Sequence, residues 1–169
     1  HEWSRRQALQ LAVAGVGAAL TMPSASAQVP RSDARPDFRI RNGRIRQSIM
    51  GWTFNPMPTP ELARLCRDIG LVAMEGVGRE HYPMIRELGL QISLVGSHGF
   101  ANGPCSRTHH EAVVRSLREG IDVAVECGCS RVITFTGMRE PGLSDEQGQR
   151  NCLEAWKEVI GYAEEKRIT

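Results

Sequence analysis

Apolar positions in this chain follow two rhythms, every second residue and every third or fourth, and the two alternate four times between residue 43 and the C-terminus. Ile45, Gln47, Ile49 and Gly51 alternate with Arg46, Ser48 and Met50, which predicts a first strand ending at Trp52, Thr53, Phe54 and Asn55. A proline-rich loop follows. Thr59 is a good helix N-cap, Pro60 suits the first helical position, and Glu61 favours the helix dipole there. Leu62, Leu65, Cys66 and Ile69 then recur at helical spacing until Gly70 stops the run. Residues 71–74 form a second short apolar run that ends at Glu75, Gly76, Val77 and Gly78, and a helix at about 80–88 is expected to bury Tyr82, Ile85 and Leu88.

The third strand is carried by Leu90, Ile92, Leu94 and Val95, and it opens into a polar loop, residues 97–110, that begins with Ser97, His98, Gly99, Asn102 and Gly103. A helix over 111–127 sets Val113, Val114, Leu117, Ile121, Ala124 and Val125 on one face, with Gly128 as its stop. The run RVITFT at 131–136 is rich in β-branched residues and apolar enough to be a buried fourth strand. Ser144 with Gln147 three positions on makes a capping box, and the last helix carries Leu153, Trp156, Val159, Ile160 and Ala163 down one side.

Each strand-to-strand connection is long enough for a parallel crossover, so the four units belong to a doubly wound sheet or to a barrel. A nucleotide-binding sheet would show Gly-x-Gly-x-x-Gly after the first strand, and the stretch 52–60 has none. The fold class is therefore α/β, with parallel (β/α) repeats forming the first half of a TIM (β/α)8 barrel. Such a barrel takes eight units and about 250 residues, and places its chemistry at the C-terminal ends of the strands. Four units leave two open edges.

The remaining features lie mostly ahead of the fold. The chain begins at His1 rather than Met, and is read as having lost residues at its start. Ser4, Arg5 and Arg6 precede a moderately apolar run at 9–22, and Ala25, Ser26 and Ala27 follow as a small-residue cleavage site. This order predicts a cleaved export signal of the twin-arginine kind over residues 1–27 and a periplasmic or secreted product, although Ala8 stands where that signal prefers a large apolar residue. An amphipathic helix or an unstructured arm is the other reading. Residues 28–42, with Pro30 and Pro36 and no apolar periodicity, read as a linker, and 43–169 as the partial barrel. No run is long and apolar enough for a membrane span, so no membrane attachment is expected after cleavage.

Charge narrows the partners. The net charge is +2 with both signs interleaved, which argues against nucleic acid as a ligand. The five cysteines, Cys66, Cys105, Cys127, Cys129 and Cys152, are odd in number, and Cys127-Gly-Cys129 lacks the spacing of a zinc knuckle. They read as small buried apolar residues.

Four segments in order, RIRQSIMGWTF, MEGVG with Glu75, SLVGSHGFANG and RVITFTGMR, resemble the N-terminal half of the sugar isomerase and epimerase superfamily, the xylose isomerase-like barrels, and within it the hydroxypyruvate isomerase-like proteins. The resemblance implies aldose–ketose isomerisation or epimerisation next to a carbonyl, through a cis-enediolate, with a divalent Mn or Mg ion polarising the oxygens. It also implies that the metal ligands and catalytic residues lie on later strands, beyond Thr169. The fifth strand should begin after Ile168 and Thr169, so no metal ligand is assigned here.

Four residues of this half remain as substrate-binding candidates. Trp52 and Phe54 would lay an apolar face against a small carbon skeleton. Glu75 and His98, at the ends of the second and third strands, would hydrogen-bond substrate hydroxyls or orient a neighbouring group. Glu75 reads equally as a surface carboxylate or a salt bridge across the barrel mouth, and His109 and His110 as solvated or capping groups. Arg139 would meet an acidic substrate or stay exposed. The expected partner is a sugar or hydroxy-carbonyl acid, with homo-oligomerisation left open. Two other functions stay in view: a non-catalytic exported sugar-binding barrel, and a metal-dependent endonuclease on the same fold.

Overall fold

The computed structural model describes residues 38–169; the stretch read as an export signal with its cleavage site, and most of the expected linker, lie outside the described residues. Three strands, β1 (Ser48–Met50), β2 (Ala73–Glu75) and β3 (Gln91–Leu94), pair in parallel in the order β1-β2-β3. The register sets Ile49 beside Met74 and Met74 beside Ile92, with a shift after Met74 that brings Glu75 opposite Leu94. Each crossover carries a helix, α1 (Thr59–Ile69) between β1 and β2 and α2 (Tyr82–Glu87) between β2 and β3. Beyond β3 come the two long helices, α3 (His110–Cys127) and α4 (Asp145–Lys166).

The fourth apolar run joins this sheet more loosely than its composition suggests. Val95 N–H donates to Arg131 O and Ile133 N–H to Val95 O, which makes a parallel bridge between Val95 and Val132 rather than an extended strand. Phe135 and Ile133 are half-buried and Thr134 is exposed, so the expected full burial does not hold. Its later backbone bond goes to the loop after β3, where Thr136 O accepts from Cys105 N–H, and not to β3 itself. Its other side begins to be filled by the chain itself, where Thr169 N–H donates to Ser130 O and Val132 N–H donates to Thr169 O. Ile168 and Thr169 thus lie where a fifth parallel strand would begin.

The core sits between the strands and the helices. Met74, Ile92 and Val95 from the sheet meet Leu62 and Cys66 of α1, Ile85 of α2, and Leu117, Ile121 and Ala124 of α3. Burying a side chain such as Ile85 completely contributes about 1.5–3 kcal/mol. Burial pushes the Cys66 thiol above its ordinary pKa, as expected for a sulfur enclosed by apolar neighbours. Gly120 lets α3 approach the sheet, because a Cβ there would stand 3.2 Å from Val132 Cγ1 and 3.3 Å from Gly96 O.

Several helix faces differ from those predicted. In α1 the buried set is Leu62, Ala63 and Cys66, with Leu65 46% exposed, because the helix presents a narrower stripe to the sheet. Val125 of α3 is also exposed. Along α4, Cys152, Ala155 and Val159 face the core while Leu153 and Ile160 are 54% and 56% exposed. Both lie on the side of α4 that no described element covers. Trp52 and Phe54 belong to a short 3-10 turn, Gly51–Phe54, rather than to the end of β1. Pro58, not Thr59, holds the N-cap position of α1, and contact with the fold begins ahead of Gly43, where Ile40 N–H donates to Ile69 O. The Ser144 cap is made as expected: its Oγ accepts from Gln147 N–H at 3.2 Å. The reciprocal half of the box is not made, since the Gln147 side-chain amide donates to Asn151 Oδ1 instead.

The loop after β3 lies backbone to backbone on the end of the fourth run. Cys105 N–H donates to Thr136 O at 2.9 Å and Met138 N–H to Ala101 O at 3.2 Å. A Cβ on Gly103 would overlap the Gly137 backbone, whereas one on Gly99 would meet nothing within 4 Å. Gly103→Ala should therefore cost about 3 kcal/mol, and Gly99→Ala about 0.5 kcal/mol or less, in denaturant midpoints of the two variants.

Candidate functional site

Parallel pairing puts the four strand ends on one edge, and the candidate residues gather there from different units. Glu75 closes β2 with the opposite parity to buried Met74, so its carboxylate projects from the face of the sheet away from the helices. Ser93 on β3 has the opposite parity to Ile92 and reaches the same face, where its Oγ donates to Glu75 Oε2 at 2.8 Å. Glu75 makes no ion pair among the described residues, and its second oxygen, Oε1, accepts no hydrogen bond there. The salt bridge across the mouth is replaced by a serine that holds the carboxylate on one side only.

Trp52 packs against Gly76, the residue after Glu75. Its N–H donates to Gly76 O at 3.2 Å, and a Cβ on Gly76 would lie 2.8 Å from Trp52 Cδ1. Gly76 has φ +62°, a left-handed conformation that glycine adopts without strain. The indole is 62% exposed and Phe54, in the same turn, 43%. Phe100 and Met138, from the loops after β3 and the fourth run, are exposed as well. The strand-end edge thus carries exposed apolar side chains as well as a partly paired carboxylate.

His98 is held differently from Glu75. Its Nδ1 lies 3.0 Å from Gly99 O, an acceptor only, so Nδ1 carries the proton. Its Nε2 lies 3.0 Å from Thr134 Oγ1 and 3.5 Å from Phe135 N. Trp156 Nε1, a donor only, gives its hydrogen to Thr134 Oγ1 at 3.1 Å, which leaves the threonine hydrogen free for His98 Nε2. The chain of donors runs Trp156 to Thr134 to His98 to Gly99. The ring also meets Phe135 edge-on, with centroids 6.1 Å apart. No hydrogen bond joins His98 to Glu75, so these two share an edge without forming a pair.

The arginines near this edge are engaged. Arg79 donates to Gly96 O, Arg139 to Asp145 Oδ1, and Arg107 to both oxygens of Glu154. His110 Nε2 lies 2.9 Å from Pro104 O, a capping contact for the loop. Buried Asn151 ties the same loop to α4: it accepts from Arg107 Nε and Gln147 Nε2, and donates to Cys105 O at 2.7 Å. A cavity of about 620 Å3 lies beside these contacts, lined by Cys105, Thr136, Gly137, Leu143, Cys152 and Trp156. Among the described residues no three His, Cys, Asp or Glu side chains converge as metal ligands, so this half alone does not fit the divalent ion that the resemblance implies.

No protein-family model matches the chain, and no curated protein matches it. Solved structures do. An AP endonuclease of family 2 from Brucella melitensis aligns over 72% of this chain and 52% of its own, with TM-score 0.61 and 13% identity. D-psicose 3-epimerase, solved in the presence of D-fructose, aligns over 74% and 50%, with TM-score 0.57 and 7% identity. A sugar phosphate isomerase/epimerase from Parabacteroides distasonis aligns over 79% and 53%, with TM-score 0.52 and 12% identity.

The fold is half of a TIM barrel. The chain spans about half the length of these structures, and at such identities the likeness establishes architecture rather than chemistry. Within that half barrel, Thr134, Trp156 and Ser93 are the residues that sequence reasoning passed over. Ser93 carried a signal, a hydroxyl interrupting the apolar run of β3 at the inward parity. Thr134 and Trp156 carried none, because their link depends on how α4 lies against the fourth run.

In 15N-resolved spectra, the neutral imidazole of His98 should be the tautomer with a protonated Nδ1 and a bare Nε2. Thr134→Val, which removes the hydroxyl between His98 and Trp156, should shift the tautomer ratio and lose the Trp156 indole hydrogen bond.

Proposed function

We propose that this chain supplies half of the active-site wall of an isomerase or epimerase acting on small hydroxy-carbonyl compounds or sugars, of the hydroxypyruvate isomerase-like kind. The observation that carries the proposal is the carboxylate of Glu75, held by Ser93 on one oxygen and open on the other, at the strand-end edge where Trp52 packs on Gly76 and Trp52 and Phe54 are exposed. A polyol presents both a hydroxyl and a C–H face, and this pairing of acceptor and apolar surface suits both. His98, with both ring nitrogens occupied by the protein, acts in this reading by fixing the loop after β3. Isomerases and epimerases among the structural neighbours support the direction of the proposal.

The proton transfer between carbons belongs in this reading to the other half of the barrel, as does a Mn or Mg ion. The ion's chemistry when bound is to polarise the substrate oxygens. This chain's own part is to orient the hydroxyls and exclude water from one side. Export by the twin-arginine route is part of the same proposal and rests on Ser4, Arg5, Arg6 and the Ala25–Ala27 site in the sequence.

The endonuclease alternative needs free positive charge for a phosphate backbone. Arg107 and Arg139 are paired with Glu154 and Asp145, Arg79 donates to the Gly96 carbonyl, and the net charge is +2. The full-length product, supplied with Mn or Mg, should turn over hydroxypyruvate or a simple ketose, and Glu75→Gln should lower that rate by about 10–100-fold. Absence of turnover with every such substrate, or metal-dependent nicking of abasic DNA in its place, would overturn the proposal.

A further inference from the structure

Two cysteines from separate elements lie about the same carbonyl, Thr136 O, at the end of the fourth run. Cys105 lies in the loop after β3 and Cys152 in α4, and both line the 620 Å3 cavity. The carbonyl oxygen of Thr136 accepts from Cys105 N–H at 2.9 Å and lies 3.9 Å from Cys152 Sγ. The Cys152 sulfur is thus no farther from the Cys105 backbone than those two distances laid end to end. Cys105 Sγ reaches Met138 O at 3.4 Å, two residues along the same short segment. The Cβ of Cys105 lies 3.7 Å from the Cβ position of Gly148, one helical turn before Cys152 on the same face of α4. Asn151, the residue before Cys152, donates to Cys105 O at 2.7 Å. These contacts seat the two cysteines on one wall of the cavity, around the same Thr136 carbonyl.

We propose that Cys105 and Cys152 form a disulfide site, closed when the folded chain meets a low-molecular-weight disulfide such as oxidised glutathione. Cys105, half-buried at the cavity wall, reacts first. Its thiolate attacks one sulfur of the reagent, breaks the S–S bond and releases one glutathione thiolate, which takes up the proton that Cys105 gave up. Cys152, buried at 3% exposure, then loses its proton and attacks the Cys105 sulfur of the mixed disulfide, releasing the second glutathione as a thiol. Two electrons and two protons pass from the protein to the reagent.

Burial pushes the Cys152 thiol upward, and the neighbouring Cys105 adds to the shift, consistent with two sulfurs that sense each other's charge. The other cysteines are placed otherwise. Cys66 is enclosed in the core, Cys127 Sγ turns back to Ala124 O of its own helix, and Cys129 Sγ turns to Arg131 O. The new bond would tie the loop after β3 to α4 and fix one wall of the cavity.

The full chain is incubated with oxidised glutathione, denatured, alkylated with iodoacetamide and weighed intact. Three alkylated cysteines instead of five are expected, with a Cys105–Cys152 linked peptide and a raised melting temperature that falls back on adding dithiothreitol. Cys152→Ala should instead trap glutathione on Cys105. Five alkylated cysteines, a link through any other pair, or a glutathione adduct that persists on Cys105 of the unsubstituted chain would overturn the proposal.

Discussion

Parallel hydrogen bonding between β1, β2 and β3 is the constraint on which everything else depends. Parallel neighbours cannot be joined by a tight turn, so each pair draws a helix across one face of the sheet, and each strand points its C-terminal end the same way. Period-two alternation then separates two populations. Met74 and Ile92 turn toward the helices and make the core, while Glu75 and Ser93 turn the other way and make the beginning of a pocket wall. Core and site are two faces of one ladder.

Beyond β3 the ladder thins, and polar and close-packed backbone contacts take over. Between Val95 and Val132 there is a bridge rather than a strand pair, yet the fourth run stays in place. It is held from one side by the loop after β3, whose Gly103 backbone presses on Gly137, and from another by the Trp156–Thr134–His98 chain. Asn151 completes the attachment by satisfying the Cys105 carbonyl from α4. Losing buried Asn151 leaves its partners unsatisfied, at about 1–3 kcal/mol, and losing His98 unties the loop carbonyl of Gly99 from Thr134. His98 is therefore a keystone of the loop as well as a resident of the candidate site.

Much of this was legible in the chain. Glycines at 70 and 128 mark helix ends and take positive φ there, and Ser144 caps α4 although the other half of the box is not made. The apolar rhythm gave the strand-and-helix order because parallel crossovers impose it. What the rhythm missed were the features set by tertiary neighbours. Leu153 and Ile160 fit the apolar spacing of α4 but face away from the core, since spacing alone does not reveal which flank is covered. The run 131–136 has every local preference for a strand, yet its backbone bonds are shared among Val95, the loop after β3 and Thr169 instead of running along β3. At the site, the position of Glu75 at a strand end was legible, while its serine partner and the occupied nitrogens of His98 depended on register and on α4.

The most direct measurement of the central claim is the pattern of proton–proton contacts across the sheet in NOESY spectra of the folded chain. Amide-to-Hα cross peaks linking Ile49 with Met74 and Met74 with Ile92, without strong Hα–Hα peaks between strands, are the parallel signature that this account predicts. Strong Hα–Hα peaks between any two of these strands would mean antiparallel pairing, scatter the strand ends to opposite edges, and contradict it.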